Sequence, residues 1–394
     1  MEIEITLKET IKPSSPTPPD KRILKLSLSD QFTPVTYTSL VFFYPAASGD
    51  QDDHHYVTVA ERTQQLKKSL SEALTHFYPL AGRLKDNVSI ECEDQGAEYI
   101  EARIKCLLSD FLVKPDAVLL KNLLPAAIES TEAATGSQLL VQANMGGTAL
   151  KSKDVVIPAF MGDCIFPQMD LSFLKPTSLE LIQRECVMKS EKVPEPTRVE
   201  AVSALIWKCA ISASRSSLGL ERKSLWSLSV NMRKRLTPQL PENSAGNCVG
   251  SILSRVEEDA DGVELGDLVG LIRKGNQEFG ENYAKKIQGE GAQLVMIGFA
   301  REFGEMAMSN DIDFYLCTSW CRFELYEAAD FGWGKPTWLS FASTAIKNAV
   351  VLIDTKDGAG IEAWLTLSKE DMALFESNQE LLEFAAVNPR VSLS

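Results

Sequence analysis

Apolar positions recur along this chain with two different periods, and the changes between them mark out its elements. Leu66, Leu70, Ala73, Leu74 and Phe77 fall on one face of a 3.6-residue repeat, and Pro79 and Gly82 close the segment, which predicts an amphipathic helix. A second helix is predicted from Thr197, a candidate N-cap with Glu200 three residues on, the two halves of a capping box. Val199, Val202, Leu205, Ile206 and Cys209 supply its buried face. Leu265, Leu268, Val269 and Ile272 define a third helix within 263–280, and a last one is expected over 370–384. Between these lie short runs rich in β-branched and aromatic residues, at 37–44, 88–92, 98–104, 138–145, 225–232 and 314–320. Residues 349–354 and 360–367 read as a terminal strand pair. Strands and helices alternate throughout, so the fold class is α/β or α+β.

Proline placement divides the chain. Residues 13–20 are Pro-rich and read as an extended connection. In 151–196, Pro158, Pro167, Pro176, Pro194 and Pro196 recur and periodicity is weak, so this stretch reads as a linker between a unit at 1–150 and one at 197–394. A length of 394 residues fits two such units.

Composition changes the picture in three respects. A net charge of −14 argues against nonspecific binding to nucleic acid or an anionic membrane, and requires a local basic patch for any anionic cofactor. The first residues have neither a basic start nor a long apolar core, and no run approaches the roughly 18 apolar residues of a membrane span. Eight cysteines with no Cys-x-x-Cys pair read as free thiols in a reducing compartment, so a cytoplasmic protein is expected.

The most distinctive stretch is Asp330-Phe331-Gly332-Trp333-Gly334-Lys335-Pro336, where two glycines around a tryptophan and a following proline predict a sharp turn. Asp330, a charge among aromatic residues, is expected to be buried and paired. With Thr318-Ser319-Trp320 upstream, this stretch closely resembles the C-terminal signature of the plant BAHD acyltransferases, most of all its alkaloid-acetylating members. Further matches are Leu74-Thr75-His76-Phe77-Tyr78-Pro79-Leu80-Ala81-Gly82-Arg83-Leu84, Leu139 to Met145, Pro196-Thr197-Arg198-Val199-Glu200 and Gly246-Asn247, so the resemblance spans nearly the whole chain. It implies a two-domain α/β fold of mixed sheets and flanking helices. It also implies acyl-CoA (acetyl-CoA) as co-substrate, a small-molecule alcohol as acceptor, no metal, and a monomer.

Acyl transfer from a thioester to an alcohol needs a base for the hydroxyl proton and donors for the oxyanion. In the family the base is the His of a His-x-x-x-Asp motif, expected here after 139–145. This chain has only His54, His55 and His76, and the residues four positions on are Thr58, Val59 and Leu80, so the motif is absent. Met145 runs instead into Gly146-Gly147-Thr148-Ala149-Leu150 and Lys151-Ser152-Lys153, as if a segment were missing. A skipped exon, an incomplete gene model and a catalytically dead relative would all leave this gap.

Other roles are implied by resemblance at matching positions. Thr318 and Trp320 match the oxyanion and acyl-site pair, although an apolar core strand explains both equally well. Asp330 matches a structural anchor, with Arg233 or Arg235 as its expected partner, and Phe331, Gly332, Trp333 and Gly334 complete that motif. Ser203 matches a position near the coenzyme, against the alternative of plain helix surface. Arg233 and Arg235 offer charge for coenzyme A phosphates, against that of a solvated strand end. A reading of another class rests on Gly246-Asn247-Cys248-Val249-Gly250, which has the spacing of a hydrolase elbow with cysteine as nucleophile, and needs a strand before it and a helix after. The expected function is acyl-CoA-dependent O-acylation of a plant specialised metabolite, an alkaloid-like alcohol. Its rival is a non-catalytic protein binding a small molecule or a partner on the same scaffold.

Overall fold

The structure, a computed structural model, describes residues 2–32, 37–45, 58–113, 115–126, 136–146, 155–159, 170–176, 179–188, 194–241, 244, 246–257, 262–342, 344 and 346–391. In chain order the strands are β1 (Ile3–Ile11), β2 (Ile23–Lys25), β3 (Leu40–Tyr44), β4 (Arg83–Lys85), β5 (Ser89–Glu91), β6 (Ala97–Ile104), β7 (Leu140–Gly146) and β8 (Val155–Ala159). They continue with β9 (Asp170–Pro176), β10 (Lys223–Asn231), β11 (Val249–Val256), β12 (Ile312–Ser319), β13 (Trp338–Phe341), β14 (Ala349–Asp354), β15 (Ile361–Leu367) and β16 (Ala385–Val387). The helices are α1 (Leu28–Phe32), α2 (Val59–His76), α3 (Leu108–Val113), α4 (Ala117–Lys121), α5 (Leu179–Met188) and α6 (Arg198–Leu218). After them come α7 (Leu265–Glu278), α8 (Ala292–Ala307), α9 (Leu325–Ala328), α10 (Lys369–Glu376) and α11 (Gln379–Phe384).

Two large mixed sheets carry the molecule, in the orders β1-β6-β7-β8-β3-β13 and β11-β10-β12-β14-β15-β9-β16, beside a small β2-β5-β4 sheet. In the seven-stranded sheet β10, β12 and β14 run parallel. The stretch read as a linker contributes β8 to the first sheet and β9 to the second, and α5 follows, so the chain crosses between the sheets inside it. The prolines hid these strands, because Pro158 and Pro176 stand within them. A second crossing goes the other way. β13, from the C-terminal half, pairs antiparallel with β3 and closes the edge of the first sheet.

The long helix after Pro196 forms as its sequence predicts. Thr197 accepts from the Glu200 N–H, Glu200 reaches back to the Thr197 N–H, and Gly219 ends the helix in the left-handed region. Its buried side, Val202, Leu205, Ile206 and Cys209, packs with Leu265, Leu268, Val269 and Ile272 of α7 against Leu352, Ala363 and Leu365 of the second sheet. The other face of that sheet presents Val351, Ile353 and Trp364 to Val41, Phe43 and Trp338 of the first sheet, so the two sheets share a core. There Trp338 and Trp364 lie 5.7 Å apart, centroid to centroid.

Two expectations are corrected, and one placement is new. Phe77 is 62% exposed: α2 ends at His76, and the chain turns away at Phe77, whose N–H still reaches the Ala73 carbonyl. The last helix is two, because Asn378 caps a new one through the Leu381 N–H. The N-terminal segment is an edge strand pairing with β6, a placement that its mixed acidic and apolar residues gave no reason to expect.

Candidate functional site

Cross-strand register sorts the site residues by face. Thr318 lies opposite Val351 in the parallel β12–β14 pair, and directly opposed residues share a face. Val351 looks into the core between the sheets, so Thr318 does too, half-buried. Trp320, just beyond β12, points the same way. Its N–H donates to the Leu352 carbonyl at 2.8 Å, and its ring meets Phe341 edge-on at 5.8 Å. Beside it opens a cleft of ≈ 230 Å³ lined by Trp320, Arg322, Tyr326, Ile353, Asp354 and Lys356. Its place is the carboxyl end of the parallel strands, where open α/β sheets gather their ligands.

Asp354 organises that end. Its carboxylate accepts from Arg198 Nη2 at 2.9 Å and from the Arg322 N–H at 2.6 Å. Arg198 also donates to the Gly358 carbonyl at 2.8 Å. One ion pair thus ties the first turn of α6, the bend after Trp320 and the β14–β15 turn together. Sequence reasoning quoted Arg198 within its motif but missed its role. The available signal was an arginine just inside a capped helix and an aspartate closing a strand.

Ser203 lies on the other face. It is 0% exposed and packs against Cys317, whose thiol burial holds far above the usual range. The sheet separates it from Thr318, and its enclosure gives a coenzyme no surface to touch, so neither the cofactor contact nor the helix-surface alternative describes it.

Arg233 and Arg235 follow β10 at the same end of the sheet as Trp320, since Leu228 stands opposite Cys317 in the register. Arg233 donates to the Ser244 carbonyl from Nε at 3.0 Å and from Nη2 at 2.7 Å, and to the Gly246 carbonyl at 2.9 Å. That loop presents the Asn247 N–H to Asp30 Oδ1 at 2.6 Å and its side-chain amide to the Ser29 carbonyl at 3.2 Å, a clasp onto α1. Arg235 donates to Asn276 Oδ1 at 2.9 Å and lies over the Phe279 ring, and burial lowers its pKa. The hydrolase elbow is excluded by the same loop. Cys248 precedes strand β11 instead of following a strand, and its carbonyl accepts from the Met232 N–H at 2.8 Å.

The expected Asp330–arginine pair does not form. Asp330 is exposed, and its Oδ1 accepts the N–H groups of Gly332 at 2.8 Å and Gly334 at 3.1 Å. Both glycines have positive φ, 95° and 100°, which turns their N–H groups onto the carboxylate. The turn thereby aims Phe331 and Trp333 at Tyr44 of β3, with ring centroids 6.2 Å and 6.1 Å away. Gln65 of α2 donates to the Phe331 carbonyl, Arg62 of α2 stacks over Trp333 at 5.6 Å, and the Tyr44 hydroxyl donates to the Ala329 carbonyl at 2.6 Å. Burial, with Asp330 nearby, raises the Tyr44 pKa far above its ordinary value. The motif is a clasp between the two halves of the chain, on the outer face of the first sheet.

His76 is exposed at the end of α2, a helix that packs on that same outer face through Leu66 and Leu70, away from Thr318. His54 and His55, and the junction after Gly146, lie outside the described residues. On the face of Thr318, β7 carries two buried amides that sequence reasoning did not single out. Gln142 donates to Asn144 Oδ1 at 2.7 Å, and both donate to the Leu123 carbonyl.

Two mixed sheets sharing a core, with a cleft at the ends of parallel strands, define a two-sheet α/β scaffold. The profile described as "Transferase family" matches residues 1–152 and 168–382, leaving 153–167 unmatched between them. Akuammiline synthase 1 of Alstonia scholaris is 35% identical over 96% of this chain and 97% of its own length. The BAHD acyltransferase BIA1 of Arabidopsis thaliana is 33% identical over 99% of both chains. A (13S,14R)-1,13-dihydroxy-N-methylcanadine 13-O-acetyltransferase of Papaver somniferum is 32% identical over 97% and 98%. The first two alignments run over 425 and 444 residues against the 394 of this chain, so both relatives carry residues that it lacks. Among solved structures, vinorine synthase superposes with a TM-score of 0.80 at 26% identity, covering 97% of this chain and 98% of that one. A TRI101 complexed with coenzyme A and T-2 shares the fold, with a TM-score of 0.71 at 12% identity over 93% and 99%. The chain belongs to the BAHD acyltransferase family.

Proposed function

We propose that the cleft beside Thr318 and Trp320 is built for acyl-CoA-dependent O-acylation of a plant specialised metabolite, an alkaloid-like alcohol, and that this chain performs it only weakly. The observation that carries the reading is the shared face of Thr318 and Trp320 at the open ends of β10, β12 and β14. In the reaction, the acceptor hydroxyl oxygen attacks the thioester carbonyl and its proton goes to a base. The tetrahedral oxyanion collapses, the C–S bond breaks, and coenzyme A leaves as a thiolate that takes up a proton. Thr318 Oγ1 donates to the oxyanion and the Trp320 ring walls the acyl group. Arg233 and Arg235 attract the coenzyme phosphates, because carbonyl partners satisfy a guanidinium's donors but leave its charge uncompensated. The halves at 1–150 and 197–394 act as the two jaws, and the chain works as a cytoplasmic monomer.

The base is what is missing. No His-x-x-x-Asp occurs in the sequence, and among the described residues no histidine faces Thr318. General-base catalysis contributes a factor of about 10² to 10⁴, so turnover falls by that order against an intact relative, while proximity and oxyanion donation remain. The absent motif favours the second reading, a protein that binds thioester and acceptor without turning them over. Thiol release from acetyl-CoA, assayed beside calorimetric binding of coenzyme A, tests both. Binding with slow release supports the proposal, and inserting the 147–167 counterpart of an intact relative restores the rate. Rapid transfer by the unmodified chain overturns it.

A further inference from the structure

The Gly246–Asn247 peptide is held from both sides, by groups of opposite charge from the two halves of the chain. Its carbonyl accepts Arg233 Nη2 at 2.9 Å, and its N–H donates to Asp30 Oδ1 at 2.6 Å. In a trans peptide the C=O and N–H point in opposite directions, so guanidinium, peptide and carboxylate lie in series. Each charge polarises the peptide in the sense that strengthens the bond to the other.

The members of this series are fixed by their own neighbours. Asp30 Oδ2 accepts the Ser27 N–H at 2.9 Å and the Ser27 hydroxyl at 2.7 Å, which leaves Oδ1 to Asn247. The Asn247 side-chain amide donates to the Ser29 carbonyl at 3.2 Å, so α1 grips this residue twice. Gly246 has a φ of 118°, where a side chain would be strained. An added Cβ would stand 3.7 Å from Asp30 Oδ1, an ordinary contact, so the backbone angle and not space calls for glycine.

Asp30 therefore orients Arg233 without touching it. A carboxylate in direct contact would occupy guanidinium N–H groups and offset the charge that another anion needs. With a peptide between them, Nε and Nη2 of Arg233 are taken up by the Ser244 and Gly246 carbonyls. Nη1 has only Asn231 Oδ1, at 3.4 Å, and is the edge left for an anion.

We propose, resting on the coenzyme role given to Arg233 above, that Asp30 is a positioning residue for that arginine. From the N-terminal half, through the Gly246–Asn247 peptide, it holds the guanidinium with Nη1 available to a coenzyme phosphate. Separation of the halves at this point breaks the Asp30 bond and lets the arginine swing, so coenzyme affinity and closure of the halves are linked.

Calorimetric binding of coenzyme A and hydrogen–deuterium exchange, both on the full chain, test this. Asp30→Ala should weaken coenzyme A binding by about tenfold and speed exchange in the peptide containing Asn247. Unchanged exchange in the β14–β15 pair would show that the fold is intact. Asp30→Asn, whose amide oxygen still accepts the Asn247 N–H, should lose no more than about threefold. In an Arg233→Gln background Asp30→Ala should cost nothing further, a result that a merely structural aspartate would not give. Losses that add, an Asn variant as weak as the Ala one, or unchanged exchange at Asn247 would each overturn the proposal. If Arg233→Gln by itself leaves coenzyme A binding unchanged, the coenzyme role of Arg233 falls and the proposal with it, a failure told apart from the others by that single variant.

Discussion

The Asp330 carboxylate accepts the N–H of Gly332 at 2.8 Å, and that bond, with its companion to Gly334, holds the turn that the family signature encodes. The aspartate acts as a cap on its own loop. What crosses between the halves here is Phe331 and Trp333 against Tyr44, with the Gln65 and Tyr44 hydrogen bonds to the Phe331 and Ala329 carbonyls beside them.

Because Asp330 is exposed and serves backbone donors, its loss is mild. Asp330→Ala should lower stability by about 1 kcal/mol, and Asp330→Asn by less, since the amide oxygen still accepts. Urea denaturation measures both. A loss of several kcal/mol in Asp330→Asn would restore the buried ion pair as the explanation.

The two glycines of the turn should not be equivalent. An added Cβ at Gly332 stands 2.6 Å from Gln65 Nε2, whereas at Gly334 nothing lies within 4 Å, and both have positive φ. Gly334→Ala should therefore cost the backbone term alone, about 1–2 kcal/mol. Gly332→Ala should cost more, through displacement of the Gln65 bond to Phe331. Thermal melts that rank Gly334→Ala as the worse variant would contradict this geometry.

Acid should weaken the start of α6. Burial raises the Glu200 pKa, but its bonds to Arg273 at 3.1 Å and to the Thr197 N–H outweigh burial, so the net shift is downward from 4.5. A folded-state pKa below the unfolded one gives stability that is present above pH 4.5 and is lost as pH falls through the folded value. Glu200→Gln should be less stable than the parent at pH 7, and the gap should close as pH falls below the ordinary 4.5 of the carboxyl and through its lowered folded value. Parallel stability curves across that window would show that Glu200 carries no linkage.

The Arg198–Asp354 pair should matter more than an ordinary surface bridge, because it also holds the Arg322 and Gly358 backbone. Asp354→Asn should cost about 1–2 kcal/mol, above the 0–1 kcal/mol of exposed pairs, and should weaken coenzyme A binding by reshaping the cleft. Calorimetry that finds stability reduced and coenzyme affinity unchanged would separate Asp354 from the site.

Much of the fold was legible because local chemistry decided it. The Thr197–Glu200 capping box, the buried row of α7 and the β14–β15 pair lie where the sequence puts them, since cap, period and turn residues act within a few positions of one another. The membership of a family was legible too, from motifs that keep their spacing whatever they touch.

Partners were not legible. That Asp330 would meet Gly332 instead of Arg233, that Ser203 would be sealed behind the sheet, and that Arg198 would find Asp354 depended on which face of β12 looked at which neighbour. Strand residues alternate between faces, so the sequence fixes only that Thr318 and Cys317 point opposite ways. Only the packing of α6 on one side and of the first sheet on the other decided that Thr318 lines the seam and Cys317 the core. The crossings at β8–β9 and at β13 were decided in the same way. A short apolar strand pairs with whichever sheet edge tertiary packing brings within hydrogen-bonding reach, and nothing in its own residues names that edge.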